Sequence, residues 1–235
     1  MTARIAIMAS GSGTTADAFI RNSLLQQLDQ RVELIIVSRQ DAGIIARLVR
    51  LNKELGLAIP CVIINSFTHH VTDGEAVRKG HQTKAEEQAI MQALADSHID
   101  IVVLLGYMKR IGPELVVAYG WRPKYTSPYQ ARMINSHPGP LPATMALYGE
   151  NVQQHILNQG LAQGCQTLHL VAEDYDDGPI LAEHWVDVTQ NDTAVSLFAR
   201  IQIVEKQHIA ADIDAFYQER QQYLAADASK QEVRV

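Results

Sequence analysis

The first half of the chain alternates short apolar runs with longer segments of helical spacing. The apolar runs lie at residues 5–9, 32–38, 59–64 and 99–105, and the helical segments at residues 15–27, 41–55 and 83–96. The run at 99–105 has no polar alternation, which is typical of a strand buried on both faces. Strands that alternate with helices of this length form right-handed βαβ units. The pattern predicts a Rossmann-like α/β fold, with a mostly parallel sheet and helices on both faces.

The second half has a different order of elements. It contains a short strand at 132–135, a helix at 150–158, and two strands at 167–171 and 180–188 around an acidic, Gly-containing turn. These two strands can pair antiparallel at one end of the sheet, and a helix at 192–220 follows. Because no repeat or low-complexity linker interrupts the chain, we predict one catalytic domain over residues 1–225. The polar residues 226–235 are predicted to form a disordered tail.

Composition narrows the classes of function. The 235 residues carry a net charge of −6, so no overall basic field attracts nucleic acid or a membrane surface. No apolar run approaches the ~20 residues of a membrane span, and the N-terminus has no signal-peptide pattern. Cys61 and Cys165 have no metal-ligand spacing and are expected to be reduced core thiols. We therefore expect a cytoplasmic protein with small-molecule substrates and no metal, as a monomer or homodimer.

A glycine-rich loop follows the first strand and opens the first helix. Its backbone N–H groups and the helix dipole favour an anion, which indicates phosphate binding. Two alternatives remain: a plain strand-to-helix turn, and an NADP-dependent oxidoreductase. The second rests on Gly11-x-Gly13-x-x-Ala16, which matches the dinucleotide fingerprint, and on Arg39, which follows the second strand. The loop itself reads Ser10, Gly11, Ser12, Gly13, Thr14, Thr15.

An amide and an imidazole stand two residues apart on the strand near residue 135. Strand alternation places Asn135 and His137 on one face, and the prolines after His137 fix the backbone beyond them. Both side chains can donate hydrogen bonds to an oxyanion, and His can also carry a proton. The segment therefore suits acyl transfer, although a purely structural His among prolines is the alternative.

An acidic turn, residues 173–179, follows the next strand. The usual role of such a turn is solvation, whereas the functional interpretation turns one carboxylate inward to orient His137. Asn135-x-His137-Pro with Leu-Pro at 141–142, the turn ending Asp176-x-Gly-Pro, and the glycine loop together resemble the folate-dependent formyltransferases. The resemblance runs from residue 5 to residue 216. It implies the formyltransferase fold and, most closely, transfer of the formyl group of 10-formyltetrahydrofolate to the amine of glycinamide ribonucleotide in purine biosynthesis.

The resemblance also implies roles for individual residues. Asn135 and protonated His137 would stabilise the oxyanion, and Asp176 would favour the imidazolium. Substrate binding would fall to Gly11, Ser12, Gly13, Thr14, Thr15, Lys84, Gln202 and Glu205. The formyl-folate would be held by Met108, Lys109, Arg110, Ile111, Met133, Asn135, Val171 and Asp176.

The chain departs from the family pattern at three places. The family's His-Pro-Ser-Leu-Leu-Pro is His-Pro-Gly-Pro-Leu-Pro here, Asp177 replaces a turn glycine, and residues 120–132 form a longer piece before the catalytic strand. We expect these changes around the mouth of the site, where they leave the amine acceptor open. Formyl transfer to a nucleotide-linked amino sugar and hydrolysis of formyl-tetrahydrofolate therefore remain alternatives.

Overall fold

A computed structural model describes residues 2–71 and 76–232 of the chain. Within them, seven strands form one sheet in the order β3-β2-β1-β4-β5-β6-β7. Strands β1 to β5 are parallel, and β6 is antiparallel to both β5 and β7. The predicted α/β sheet with an antiparallel end is confirmed. The strands are β1 (Ala3–Ala9), β2 (Gln30–Val37), β3 (Cys61–Ile63), β4 (Ile101–Leu104), β5 (Met133–His137), β6 (Gln163–Leu170) and β7 (Ile180–Asp187).

Helices cover both faces of the sheet. Side chains of α1, α2 and α6 join the core on one face, and those of α3 and α4 join the core on the other. A small third cluster lies between α5 and α6. Helix α4 was not predicted, because seven residues give too little periodicity to recognise. The helices are α1 (Thr14–Leu25), α2 (Gly43–Leu55), α3 (Lys84–Asp96), α4 (Pro113–Tyr119), α5 (Glu150–Asn158) and α6 (Ala194–Glu232).

Local sequence explains where the key helices begin. Gly13 is the N-cap of α1 with φ of 72°, and a Cβ there would lie 2.5 Å from the Ile44 side chain. Only glycine therefore fits between the loop and α2. Helix α3 begins with a capping box, in which Thr83 and Glu86 satisfy each other's backbone N–H groups. No helix in the described ranges is long and apolar enough to cross a membrane.

The predicted disorder after residue 225 is wrong for most of that segment. Helix α6 continues without a break to Glu232, and residues 233–235 lie outside the described residues. Phe216 and Tyr217 on the same helix are buried against the sheet. Packing thus supports the helix, which then extends through residues of good helical propensity such as Ala, Lys and Gln.

Only part of residues 120–132, which we expect at the mouth of the site, lies away from it. Tyr129 in a short 3₁₀ turn packs against Phe216 and Tyr223, with ring centroids 5.6 and 6.0 Å away, and its hydroxyl bonds Glu219. These partners lie on the C-terminal half of α6. At 1.5 Å per helical residue, they are about 16 to 27 Å further along the helix than Glu205. The part around Tyr129 therefore docks on α6, whereas the start of the piece lies at Val171, whose carbonyl accepts a hydrogen bond from the Trp121 N–H at 2.7 Å.

Candidate active site

The glycine loop lies at the carboxyl end of β1, beside the segment that follows β4. Ser10 accepts a hydrogen bond from the Met108 N–H at 2.9 Å, and its hydroxyl lies 2.6 Å from that of Ser38. The Ser10 N–H donates to the Gly106 carbonyl at 3.0 Å. Ser12 is exposed, while Thr14 and Thr15 begin α1. The loop thus presents a helix N-terminus at the sheet edge, next to residues 106–112.

Asn135, His137 and Asp176 converge at the edge between β5 and β6. The Asn135 Nδ2 atom is 3.5 Å from Asp176 Oδ1, and His137 Nδ1 is 3.5 Å from Asp176 Oδ2. His137 is 3% exposed, and the side chain of Asp176 is 10% exposed. Strand alternation and the return of the acidic turn bring together three residues that are 41 positions apart at most.

Asp176 is the one inward-facing carboxylate of the acidic turn. Its φ of 56° lies in the left-handed region, which Asp tolerates better than most residues. The Ala146 N–H donates to Oδ2 at 3.1 Å. Glu173, Asp174 and Asp177 are exposed, as expected of a solvated turn. The exposed carboxylates thus fit the interpretation as a solvated turn, and Asp176 fits the interpretation as a carboxylate turned inward to His137.

Burial and charge act in opposite directions on the two titrating groups. Burial lowers the pKa of His137 below its ordinary value, and although Asp176 raises that pKa, the net direction is down. For Asp176, burial would raise the pKa, but its contacts with the His169 and His137 rings and the Ala146 N–H outweigh burial and leave the pKa lowered. At neutral pH, therefore, the free site pairs a carboxylate with a neutral imidazole.

A second histidine, which sequence reasoning missed, completes the cluster. His169 on β6 is buried, with Nε2 3.1 Å from Asn135 Nδ2 and 3.5 Å from Asp176 Oδ1. Its Nδ1 lies 3.0 Å from the Leu170 carbonyl, an acceptor, so Nδ1 carries the proton and Nε2 accepts from Asn135. The available signal was its position on the strand before the acidic turn, directly opposite Asn135.

Glu205 lies on the other face of the sheet edge. Its carboxylate accepts hydrogen bonds from Thr15 of α1 at 2.8 Å and from Ser136 of β5 at 2.5 Å, while Gln166 donates to Ser136 at 3.1 Å. Burial raises the pKa of Glu205, and the two hydroxyl donors and Lys206 partly offset that rise. The hydroxyl of Thr15 is thus bonded to Glu205 in the free protein.

Residues 106–112 form an anchored segment beside the trio. Lys109 Nζ lies 2.7 Å from both carboxylate oxygens of the buried Glu86. The Arg110 N–H donates to the Gly80 carbonyl at 2.7 Å, and the Arg110 guanidinium donates to the Glu173 carbonyl at 2.9 Å and lies over the Tyr175 ring. Arg110 therefore connects this segment to the acidic turn.

The remaining predicted residues are distributed unevenly around the site. Met108 is exposed, Val171 is buried at the end of β6, and Met133 is fully buried in the core beneath. Gln202 is half-buried, one turn before Glu205 on α6. Lys84 is exposed at the start of α3.

The N-terminus of α3 lies beside residues 110–112 rather than beside α1. The Gln82 N–H donates to the Arg110 carbonyl, and the Gln82 side chain accepts from the Gly112 N–H. A different basic residue lies at the glycine loop. The Arg47 Nε donates to the Ser12 carbonyl at 3.0 Å, and the Arg47 guanidinium pairs with Asp17 at 3.2 Å. Sequence reasoning missed Arg47, whose position on α2 gave no signal.

Comparison with known proteins agrees with this geometry. Residues 3–213 match the family model described as formyl transferase. The chain is 26% identical over 203 residues to phosphoribosylglycinamide formyltransferase of Bacillus subtilis, covering 86% of this chain and 88% of that one.

Solved structures of two related proteins have the same fold. Phosphoribosylglycinamide formyltransferase from Bacillus halodurans is 32% identical with a TM-score of 0.71, covering 90% of this chain and 94% of that one. Glycinamide ribonucleotide transformylase 1 from Symbiobacterium toebii is 26% identical with a TM-score of 0.74, covering 93% and 89%. The family match over most of the chain and the full-length structural likeness lead to one conclusion: the chain belongs to the formyl transferase family.

Proposed function

We propose that this protein transfers the formyl group of 10-formyltetrahydrofolate to the amine of glycinamide ribonucleotide. The observation that carries the proposal is the convergence of Asn135 and His137 on Asp176, each 3.5 Å from one of its carboxylate oxygens at the sheet edge. A helix N-terminus suited to a phosphate lies at the same edge. Relatives that align along nearly their whole length are named for this reaction. Membership in the formyl transferase family leaves the NADP oxidoreductase alternative without support.

The phosphate of the acceptor would lie on the loop from Gly11 to Thr15. Free N–H groups at the start of α1 and the dipole of a helix favour a dianion there. Arg47, already bonded to the Ser12 carbonyl, would add a positive charge at this end. Glu205 and Gln202 would meet the ribose and glycinamide portion. Lys84, predicted from sequence to assist the phosphate, is not assigned to it, because α3 begins beside residues 110–112.

The formyl-folate would lie between residues 106–112 and the acidic turn. The Met108 N–H, both main-chain groups of Arg110 and the Gly112 N–H are engaged within the protein. Recognition of the pterin by main-chain groups of this segment would therefore fall on groups outside these bonds, such as those of Lys109 and Ile111. Val171 and the exposed Met108 supply apolar surface, and Met133 forms the floor below. These main-chain groups and the apolar surface beside them fit a planar, hydrogen-bonding ring, as is usual in small-molecule sites.

The chemistry follows from the trio. The amine nitrogen forms a bond to the formyl carbon, and the carbonyl electron pair moves to oxygen. Asn135 has two N–H donors, of which one bonds His169 at 3.1 Å. The other has only the long 3.5 Å contact with Asp176 Oδ1, which it can give up to stabilise the oxyanion. Such a donor is worth about 3 kcal/mol in the transition state. Neutral His137, beside the Asp176 carboxylate, can take the proton that leaves the attacking amine. The carbonyl then re-forms as the bond between the formyl carbon and the folate nitrogen breaks, and the same proton passes to that nitrogen.

Folate absorbance provides the test. Loss of formyl from 10-formyltetrahydrofolate is followed with and without glycinamide ribonucleotide, in the wild type and in Asn135→Ala and His137→Ala. We expect turnover that requires the nucleotide and falls by at least about 100-fold in either variant. Turnover without any amine would indicate a hydrolase instead. Turnover only with a nucleotide-linked amino sugar would identify the other acceptor, and absence of folate binding would contradict the proposal.

A further inference from the structure

Thr144 is a buried hydroxyl in contact with the imidazole of His137. It is fully buried in the turn after β5, with Oγ1 3.0 Å from His137 Nε2 and 2.9 Å from the Pro140 carbonyl. Both distances are those of good hydrogen bonds. Thr144 was not among the residues assigned from sequence, and none of the roles derived above uses it.

The direction of these hydrogen bonds follows from counting protons. A carbonyl oxygen only accepts, so the single hydroxyl hydrogen of Thr144 points to Pro140. The lone pairs of Oγ1 then face His137. A favourable contact at 3.0 Å requires that Nε2 of His137 carries a hydrogen and donates it.

The other ring nitrogen has the opposite character. Nδ1 lies 3.5 Å from Asp176 Oδ2, too far for a good hydrogen bond, and Oδ2 already accepts from the Ala146 N–H. A neutral imidazole has one N–H, which the contact with Thr144 assigns to Nε2. Nδ1 is therefore the bare nitrogen, and it faces a carboxylate that would stabilise a proton placed there.

We propose that Thr144 is a positioning residue that fixes the Nε2–H tautomer of His137, so that Nδ1 beside Asp176 is the atom that accepts the proton. The catalytic consequence rests on the proposed function. The proton released when the amine nitrogen bonds to the formyl carbon binds Nδ1, directly or through water. The resulting imidazolium donates through Nε2 to Thr144 and through Nδ1 to Asp176, with His169 as the other titratable neighbour. The same proton then leaves for the departing nitrogen, which returns the neutral ring.

A neighbouring glycine makes room for this hydroxyl. A Cβ on Gly139 would lie 2.4 Å from Thr144 Oγ1, so no larger residue fits without moving it. Serine is the family's usual residue at this position in the motif quoted above. Gly139 and Thr144 thus form a sterically matched pair in this chain, and Gly139→Ser should displace the hydroxyl from His137.

Histidine side-chain ¹⁵N NMR on the full chain tests the tautomer directly and needs no substrate. The His137 signals are assigned by their loss in His137→Gln. We expect the Nε2–H tautomer in the wild type and in Thr144→Ser. In the near-isosteric Thr144→Val, Nε2 loses its acceptor, so the proton should move to Nδ1 and point at Asp176. A wild type with the Nδ1–H tautomer, or a Thr144→Val protein with an unchanged one, would overturn the proposal.

Thr167→Val is the matched control. Thr167 lies on the adjacent strand β6 and is also fully buried. Its hydroxyl donates to the Gly139 carbonyl at 2.8 Å. Removing that hydroxyl has the same kind of structural cost but should leave the tautomer of His137 unchanged. If Thr144→Val does not fold, the wild-type and Thr144→Ser spectra decide the question.

Steady-state kinetics then tests whether the tautomer fixed by Thr144 matters for catalysis. We expect Thr144→Val to lower kcat at least about tenfold with little change in either KM, and Thr144→Ser to restore most of it. Equal kcat and equal pH profiles in wild type and Thr144→Val would overturn the positioning role. If the wild type shows the Nε2–H tautomer but no turnover with glycinamide ribonucleotide, the proposed function fails while the tautomer assignment stands.

Discussion

Nδ1 of His137 lies 3.5 Å from Oδ2 of Asp176, and both side chains are almost fully buried. Burial lowers the pKa of His137 more than the carboxylate raises it, and the pKa of Asp176 is itself lowered. The pair therefore consists of a neutral ring and a carboxylate across the neutral range. Nδ1 of His137 can therefore accept a proton from an amine, and the Asp176 carboxylate would stabilise the imidazolium that results. The pKa of this pair should determine how activity depends on pH.

Removal of the Asp176 charge should move the acidic limb of the pH profile of activity to lower pH. Activity requires neutral His137, so the acidic limb of kcat/KM, which reports the free enzyme, should lie below pH 6.5, the ordinary pKa of the ring. Asp176 raises the pKa of His137, so Asp176→Asn should lower that pKa and move the limb to still lower pH. We also expect kcat to fall at least about 100-fold. Asn tolerates the left-handed backbone at this position.

The measurement is kcat/KM against pH for wild type, Asp176→Asn and the exposed neighbour Asp177→Asn. The Asp177 variant should resemble wild type. An acidic limb that moves to higher pH in Asp176→Asn would contradict the electrostatic coupling.

Glu205→Gln should weaken binding of the amine acceptor. The carboxylate joins α1 to β5 through Thr15 and Ser136, and burial raises its pKa. An amide keeps the shape but loses charge and one acceptor, so we expect KM for glycinamide ribonucleotide to rise about tenfold with folate KM unchanged. Steady-state kinetics in each substrate measures this. Glu219→Gln, about 21 Å further along the helix, is the control, and a changed folate KM in Glu205→Gln would count against the assignment.

Arg110→Ile should loosen the acidic turn. The guanidinium spans from the anchored segment to the Glu173 carbonyl, the Asp174 carboxylate at 3.6 Å and the Tyr175 ring. Because the pair is partly exposed, we expect only a few-fold rise in folate KM. Hydrogen–deuterium exchange should increase in the peptide covering residues 172–178. Arg122→Ile, which removes a similar contact with Tyr125 but none with the acidic turn, should leave both measurements unchanged.

Tyr129→Ala should cost stability without affecting catalysis. Its ring packs on Phe216 and Tyr223 of α6, far from the site. Loss of these contacts should lower the free energy of unfolding by about 2 kcal/mol, with both KM values and kcat unchanged. Denaturant unfolding and steady-state kinetics together measure this. Tyr148→Ala, at an exposed position, is the stability control, and altered kinetics in Tyr129→Ala would mean that segment 120–132 does influence the site.

Periodicity predicted most of the fold, and failed where burial and polarity disagree. The helix at 150–158 and the strand beginning at residue 180 were placed correctly. Strand β6 begins at Gln163, four residues earlier than predicted, because Gln166 is polar yet fully buried. Its amide is partly satisfied by Ser136 of the neighbouring strand, a partner that no local pattern reveals.

The sequence by itself determined the α/β architecture, the glycine loop before α1 and the shared strand face of Asn135 and His137. These depend on periodicity and backbone geometry, which act between near neighbours in the chain. Only the tertiary structure decided that His169 and Thr144 contact the trio and that His137 is neutral at rest. Hydrogen-bond partners and desolvation depend on which distant segments meet at the sheet edge, and spacing along the chain does not encode them.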